Sequence, residues 1–324
     1  MNFNRRKFLH LAMCTALLPT LSETALALDY PTRPLHIVVA LPPGSRSDIV
    51  ARLLGQQLSE RLRRPVVIDN RPGASSNIGT KIVANASPDG YTLLVVTTEN
   101  AINTSLYNNL TFNFIRDIAP VAIIGYGAFV MLANPALPAR TIPEFIAYAK
   151  ANPHKINMAS PGVGSVAHVF EEMLKMKTGI DLVMVPYGSS SFYPDLLSGQ
   201  VQASFNPVTS SIGYIKAGKL RALGVTTATR VEALPDVPPI GQFVPGFEGD
   251  GWLGIGAPRN TPSEIIDKLN TEINAVVADP KMKTRFVELG IVPMSGTPAQ
   301  FGKFISDETE KWSKVVKFAG IKAM

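Results

Sequence analysis

Two stretches of this sequence carry residue types suited to holding an anion. Pro42-Pro43-Gly44-Ser45-Arg46-Ser47-Asp48 follows the apolar run Leu35 to Leu41, and Ser160-Pro161-Gly162-Val163-Gly164-Ser165 follows Ile156 to Ala159. A strand that ends in a glycine turn and leads into a helix leaves the first helical N–H groups without partners, at the positive end of the helix dipole. Such a turn is a ready anion site. In the first turn the candidate contacts are the N–H groups of Gly44, Ser45 and Arg46, the hydroxyls of Ser45 and Ser47, and the Arg46 guanidinium. Asp48, which also reads as the capping partner of Ser45, belongs to the same set. The second turn offers Gly162, Val163, Gly164 and Ser165, while Pro161 has no N–H to give. One such turn in each half of the chain predicts a cleft that grips an anion from both sides.

Other polar residues follow strand-like runs and are expected at the same crevice. Thr97, Thr98 and Asn100 end the run Thr92 to Thr97. Tyr187, Gly188, Ser189 and Ser190 follow Leu182 to Pro186, and Asn206 follows Val201 to Phe205. His168 shares a helix with Ser165 and is placed beside the cleft as a packing and contact residue, not as a base. Competing chemistries fail on spacing. Ser165 and His168 sit three residues apart with no Gly-x-Ser-x-Gly elbow, and the four histidines have no metal-ligand spacing. Gly162-Val163-Gly164-Ser165-Val166-Ala167 matches Gly-x-Gly-x-x-Ala, but Asp181 falls before the next strand and not at its end, so it cannot reach a ribose. No Gly-Lys-Ser/Thr follows either turn. No catalytic residue, metal or cofactor is expected.

The elements that must position these turns alternate. Leu35 to Leu41 reads as a strand, Asp48 to Arg63 as a helix with Ile49, Leu53, Leu54 and Leu58 on one face, Val66 to Asp69 as a strand, Ile78 to Ala84 as a helix and Thr92 to Thr97 as a strand. Repeated strand–helix–strand units predict mostly parallel sheets flanked by helices, with ligands beyond the carboxyl ends of the strands. Thr141-Ile142-Pro143-Glu144, Thr261-Pro262-Ser263-Glu264 and Thr297-Pro298-Ala299-Gln300 each read as a capping box opening a helix. The first two follow the strands Phe129 to Pro135 and Trp252 to Pro258, a faint repeat that points to two similar lobes.

The N-terminus reads as an export signal. Arg5-Arg6-Lys7 is a basic start, Phe8 to Leu21 is mostly apolar, and Ala25-Leu26-Ala27 fits cleavage after Ala27. Arg5-Arg6-Lys7-Phe8-Leu9 also fits the twin-arginine pattern, so either export route is open. The single cysteine, Cys14, lies inside this segment, so the mature chain has no disulfide, thiolate metal site or cysteine nucleophile. Of the 31 Lys and Arg and 25 Asp and Glu, three basic and one acidic residue leave with residues 1–27, and the mature chain carries a net charge of +4. Scattered basic residues suit anionic solutes and argue against nucleic acid. An anion cleft behind an export signal reads as a receptor for small carboxylates. With no association motif, a monomer is expected.

The motifs also resemble a known family. Tyr30-Pro31 to Ile37, Gly44 with Asp48, Asp69-Asn70-Arg71-Pro72-Gly73-Ala74, Pro88-Asp89-Gly90-Tyr91-Thr92-Leu93, Gly162-x-Gly164-Ser165-x-x-His168, Val185-Pro186-Tyr187, Gly199-Gln200-Val201 and Gly218-Lys219-Leu220-Arg221-Ala222-Leu223 are similar to the Bug-type substrate-binding proteins of tripartite tricarboxylate transporters. Arg230 with Leu234 to Pro238, and Ala257-Pro258 with Thr261-Pro262, extend the likeness over nearly all of the mature chain. The resemblance implies a two-lobed type II periplasmic-binding-protein fold with crossing hinge strands: lobe 1 from 28–126 and 226–324, lobe 2 from 127–225. It implies a small carboxylate held by Gly44 to Asp48 and by Gly162 to Ser165, partly through water, and passed to membrane permease subunits or to a sensor protein. Departures bear on the ligand. Ser45 and Arg46 replace the usual second glycine and its neighbour, and Arg46 is expected to pair with a second carboxylate. Asn206 stands where an acid is common, which argues against an ammonium-bearing ligand. An exported α/β enzyme acting on a carboxylated substrate, or an orphan receptor serving a sensor kinase, are the alternatives.

Overall fold

A computed structural model of the chain describes residues 29–107, 109–188 and 190–321. The signal segment expected over residues 1–27 lies outside them, as does Ser189. The elements below belong to the unit Pro31–Met324. Along the chain they are β1 (Leu35–Val39), α1 (Arg46–Leu62), β2 (Val66–Asn70), α2 (Asn77–Ala84), β3 (Thr92–Thr97), α3 (Thr98–Leu106), α4 (Phe114–Asp117) and β4 (Ile118–Gly127). Then come β5 (Phe129–Ala133), α5 (Ile142–Ala151), β6 (Asn157–Ser160), α6 (Val166–Thr178), β7 (Val183–Pro186), α7 (Tyr193–Ser198), β8 (Ala203–Pro207), α8 (Val208–Lys216) and β9 (Arg221–Val225). The last part holds β10 (Gly251–Pro258), α9 (Ser263–Ala278), α10 (Pro280–Glu288), β11 (Ile291–Pro293) and α11 (Pro298–Ala319).

The strands make two sheets, ordered β11-β4-β10-β3-β1-β2 and β7-β6-β8-β5-β9. The two-lobed α/β architecture is the one expected from the alternating pattern. The sheets themselves are mixed and not mostly parallel. Strands joined through covering helices, β1 with β2 and β3, and β6 with β7 and β8, pair in parallel. Strands that arrive from the other sheet do not need a helical crossover, and they run the other way. Thus β10 is antiparallel to β3 and β4, and β5 is antiparallel to β8 and β9. Only Ala128 separates β4 in the first sheet from β5 in the second.

Strand periodicity explains how the second sheet is covered. Along β5, Phe129, Met131 and Ala133 join the large core that also holds Phe145, Phe170, Trp252 and Trp312. The alternate residues Val130 and Leu132 face a second cluster with Phe192, Leu196 and Val208. Of the three expected capping boxes, the one at Thr297 forms completely: Gln300 N–H donates to Thr297 Oγ1 at 3.2 Å and Thr297 N–H to Gln300 Oε1 at 2.8 Å. Thr141 caps the N–H of Glu144, whose carboxylate takes the N–H of Arg140 instead of that of Thr141. At Thr261 no box forms, because its hydroxyl donates to Pro258 O at 2.8 Å and Pro262 takes the cap position.

Helix α11 packs on α3 and β4 and also reaches α6. Trp312 meets Phe170 of α6 edge-on at 6.2 Å between ring centroids. Glu308 Oε2 accepts from the indole N–H of Trp312 at 2.9 Å and from that of Trp252, on β10, at 3.0 Å. One carboxylate oxygen therefore satisfies two tryptophan donors. Glu308→Ala orphans both, and is expected to lower stability by about 2–4 kcal/mol, read as a fall in the midpoint of urea unfolding with an unchanged slope.

Glu171, 1 % exposed on α6, has Oε1 without a partner among the described residues. Burial pushes its pKa up to about 8, reinforced by Glu172 and opposed by Lys175. The folded state then holds a proton that the unfolded state, near 4.5, has lost. The stability this group contributes is full below its unfolded pKa and is lost as pH rises through about 8. Melting curves from pH 5 to 8.5 should show stability falling, by at most about 1.4 kcal/mol per pH unit from this group; Glu171→Gln should flatten that slope.

Candidate functional site

The two glycine turns fold into the same local structure. Gly44 has φ +78° and Gly164 φ +79°, left-handed values that glycine adopts without strain. Each precedes a serine N-cap in extended conformation, Ser45 (φ −66°, ψ 161°) and Ser165 (φ −65°, ψ 156°). Ser45 Oγ accepts the N–H of Asp48 at 3.3 Å, and Ser165 Oγ that of His168 at 3.2 Å. In return Asp48 Oδ2 accepts the N–H of Gly44 at 2.9 Å, and His168 Nδ1 accepts that of Gly164 at 3.1 Å. Burial alone would raise the Asp48 pKa, but its bonds from Arg52 and Gly44 outweigh that and hold it below the usual value.

These reciprocal bonds reassign the expected donors. Gly44 N–H is taken by Asp48, Ser45 N–H by Pro42 O at 3.2 Å, Gly162 N–H by Ser160 Oγ and Gly164 N–H by His168. Among the described residues, the N–H groups left without a bond at the helix starts are Arg46 and Ser47 of α1, and Val166 and Ala167 of α6. Asp48 and His168 shape the turns and are not in the cavity wall.

A cavity of about 310 Å³ lies where the two turns converge. Of the expected residues, Gly44, Ser45, Arg46, Ser47, Ser165, Gly188, Ser190 and Asn206 line it together. Gly162, Val163 and Gly164 do not, because the lobe-1 segment around Ser75 and Leu106 covers their turn. Ser75 Oγ donates to Val163 O at 2.8 Å, and a Cβ on Gly164 would collide with Leu106. Ala74, Ser75 and Ser76 all have left-handed φ (47°, 49° and 74°), and Asn103 Nδ2 holds Ser75 O at 2.6 Å.

Thr97, Thr98 and Asn100 are not brought to the cavity. Thr97 N–H donates to Asn100 Oδ1 at 2.9 Å, Asn100 Nδ2 to Thr80 Oγ1, and Thr98 Oγ1 accepts the N–H of Trp252. All three are buried in the joint between β3, α2 and β10. Tyr187 turns away as well: its hydroxyl donates to Asp195 at 2.6 Å, and burial followed by that bond pushes its pKa up to about 12.

Arg46 differs most from expectation. It is 4 % exposed, and Nη1 donates to Gly127 O at 3.2 Å and to Gly251 O at 3.0 Å. Its guanidinium carbon lies 5.3 Å from the centre of the Phe129 ring. Gly127 and Gly251 face each other in the β4–β10 ladder, where the chain leaves the first sheet and returns to it. Burial lowers its pKa to about 10, against the pull of Glu99 and Asp250, so it stays protonated at neutral pH. Through Nη1 the side chain clamps the crossover strands, while Nε has no hydrogen-bond partner among the described residues and the residue also lines the cavity.

Residues the sequence reading missed form the rest of the wall. Phe192, Tyr193 and Tyr214 make a stacked row, with ring centroids 5.1 and 4.7 Å apart, and Phe129 and Phe205 lie in the same lining. Glu99 also faces in. The aromatic pair Phe192-Tyr193 directly follows the serine-rich loop already singled out, so position alone could have flagged it.

Two lobes, a cavity lined from both and a helix N-terminus from each define a solute-binding receptor of the periplasmic-binding-protein type. The chain belongs to the tripartite tricarboxylate transporter family receptors, whose family model matches residues 50–321. It is 35 % identical over 297 residues to Protein BugT of Bordetella pertussis, covering 90 % of this chain and 91 % of that one. Among solved structures it is similar to R. palustris Rpa4515 with adipate, at 34 % identity and TM-score 0.89, covering 91 % of this chain and all of that one. MatC from Rhodopseudomonas palustris with bound malate superposes with TM-score 0.83 at 28 % identity, covering 89 % of this chain and 100 % of that one.

The clamp is testable. Arg46→Met removes the only side-chain donor, among the described residues, to two carbonyls at the crossing and is expected to lower stability by about 2–4 kcal/mol, a fall in melting temperature on the order of 5 °C. Arg46→Lys, which offers a point charge on a different stem, should recover only part of it.

Proposed function

We propose that this chain is a periplasmic receptor that captures a small carboxylate between its lobes and delivers it to the membrane subunits of a tripartite tricarboxylate-type transporter, without chemical change. The observation that carries this reading is the pair of congruent helix N-termini converging on one cavity. A carboxylate there meets the N–H groups of Arg46 and Ser47 from one side and of Ala167 from the other, with the Ser45 and Ser165 hydroxyls beside them. Oriented N–H groups stabilise an anion without a formal cation, which suits a receptor that must release its cargo. The adipate and malate of the related structures are of this class. Residues 28–126 with 226–324 act as one lobe and 127–225 as the other, and the Ser75–Val163 bond latches them in the closed state. Residues 1–27 act as the export signal, cleaved after Ala27.

Calorimetry on residues 28–324, stripped of bound solute by unfolding and refolding, tests the reading. Adipate, malate and further mono- and dicarboxylates are compared with their neutral amides. At least one carboxylate should bind and, at about 100 times its Kd, stabilise the fold by roughly 2.7 kcal/mol, while its amide does not. Silence from every carboxylate would overturn it.

A further inference from the structure

The cavity holds an acid that a pure carboxylate site has no use for. Glu99, the second residue of α3, is 9 % exposed and lines the wall, yet its carboxylate makes no hydrogen bond or ion pair with any described residue. The one other charged residue in the lining is Arg46, and its Nη1 is engaged with Gly127 O and Gly251 O. Arg46 feels both Glu99 and Asp250, so it adds no unopposed positive charge to the cavity. Asp250 is outside the lining. Glu99 is then the group that meets a ligand directly.

A ligand carboxylate seated on the N–H groups adds a further negative charge to a cavity whose one cation, Arg46, already has Nη1 held by two carbonyls. Two like charges at close range in a desolvated site are mutually unfavourable. A positive charge on the ligand itself removes the conflict. The remaining wall suits such a charge, since the stacked row of Phe192, Tyr193 and Tyr214 lines it, and aromatic rings attract ammonium groups. We propose that Glu99 selects a zwitterion: a ligand whose carboxylate sits on the two helix N-termini and whose ammonium group pairs with Glu99 against the aromatic wall. This rests on the carboxylate-receptor reading above and reverses the expectation drawn from Asn206, because the acid absent there is supplied from the other lobe.

The test uses matched pairs that differ only in the ammonium group: L-glutamate with glutarate, 4-aminobutyrate with butyrate, and 4-trimethylammoniobutyrate with 5,5-dimethylhexanoate, its neutral isostere. Calorimetry on the mature chain should find at least one ammonium-bearing member bound ten-fold or more tighter than its partner. Glu99→Gln, checked for an unchanged melting temperature, should bring that ratio close to one. Tighter binding of the ammonium-free members, or a ratio that survives Glu99→Gln, overturns the proposal and leaves the carboxylate receptor standing. Failure of every pair, together with adipate and malate, overturns both.

Discussion

Two carbonyl oxygens, of Gly127 and Gly251, point at one buried cation, and the architecture is organised around that meeting. They belong to the two strands that carry the chain between the sheets, and the cation sits on the first turn of the helix that starts the binding site. A buried guanidinium must be hydrogen-bonded or it destabilises the fold. Hinge and binding loop are thus tied by one side chain. The lack of a side chain at 251 is part of the same constraint, because a Cβ there would collide with the guanidinium and the Phe129 ring.

The site repeats one device twice. In each lobe a left-handed glycine, a serine cap and an acceptor three residues on form a closed set of bonds. The acceptor differs, a carboxylate in one and an imidazole in the other, and the geometry does not. His168 accepts at Nδ1 and so carries its ring proton on Nε2, 3.7 Å from Glu172. Because the turns satisfy their own glycine N–H groups, only the next two N–H groups on each helix are left for a solute. Turns closed by their own hydrogen bonds have less to order on capture of a solute.

The turns themselves were legible in the sequence because glycine, serine and a capping partner at fixed spacing permit few conformations. Their use of those N–H groups was not, since the reciprocal bonds depend on side-chain reach. Residues such as Thr97, Thr98 and Asn100 looked exposed at a strand end, but β10, more than 150 positions away, arrives to take the Thr98 hydroxyl. The same non-local strand makes the sheets mixed. Strand β4 escaped notice because Pro120, Gly125 and Gly127 interrupt its apolar pattern. Arg46 misled for a related reason: charge type indicates what a side chain can bind, while the partners it does bind come from residues 81 and 205 positions along the chain.

The run Ala74-Ser75-Ser76 carries one more consequence. Three successive non-glycine residues in left-handed backbone cost roughly 1–2 kcal/mol each, and what holds them includes the Asn103 bond and the bond across the cleft to Val163. Relaxation of that backbone therefore offsets part of the loss when the cross-cleft bond breaks. The contact between the Ser75 and Val163 segments is therefore shallower than its hydrogen bonds alone would make it.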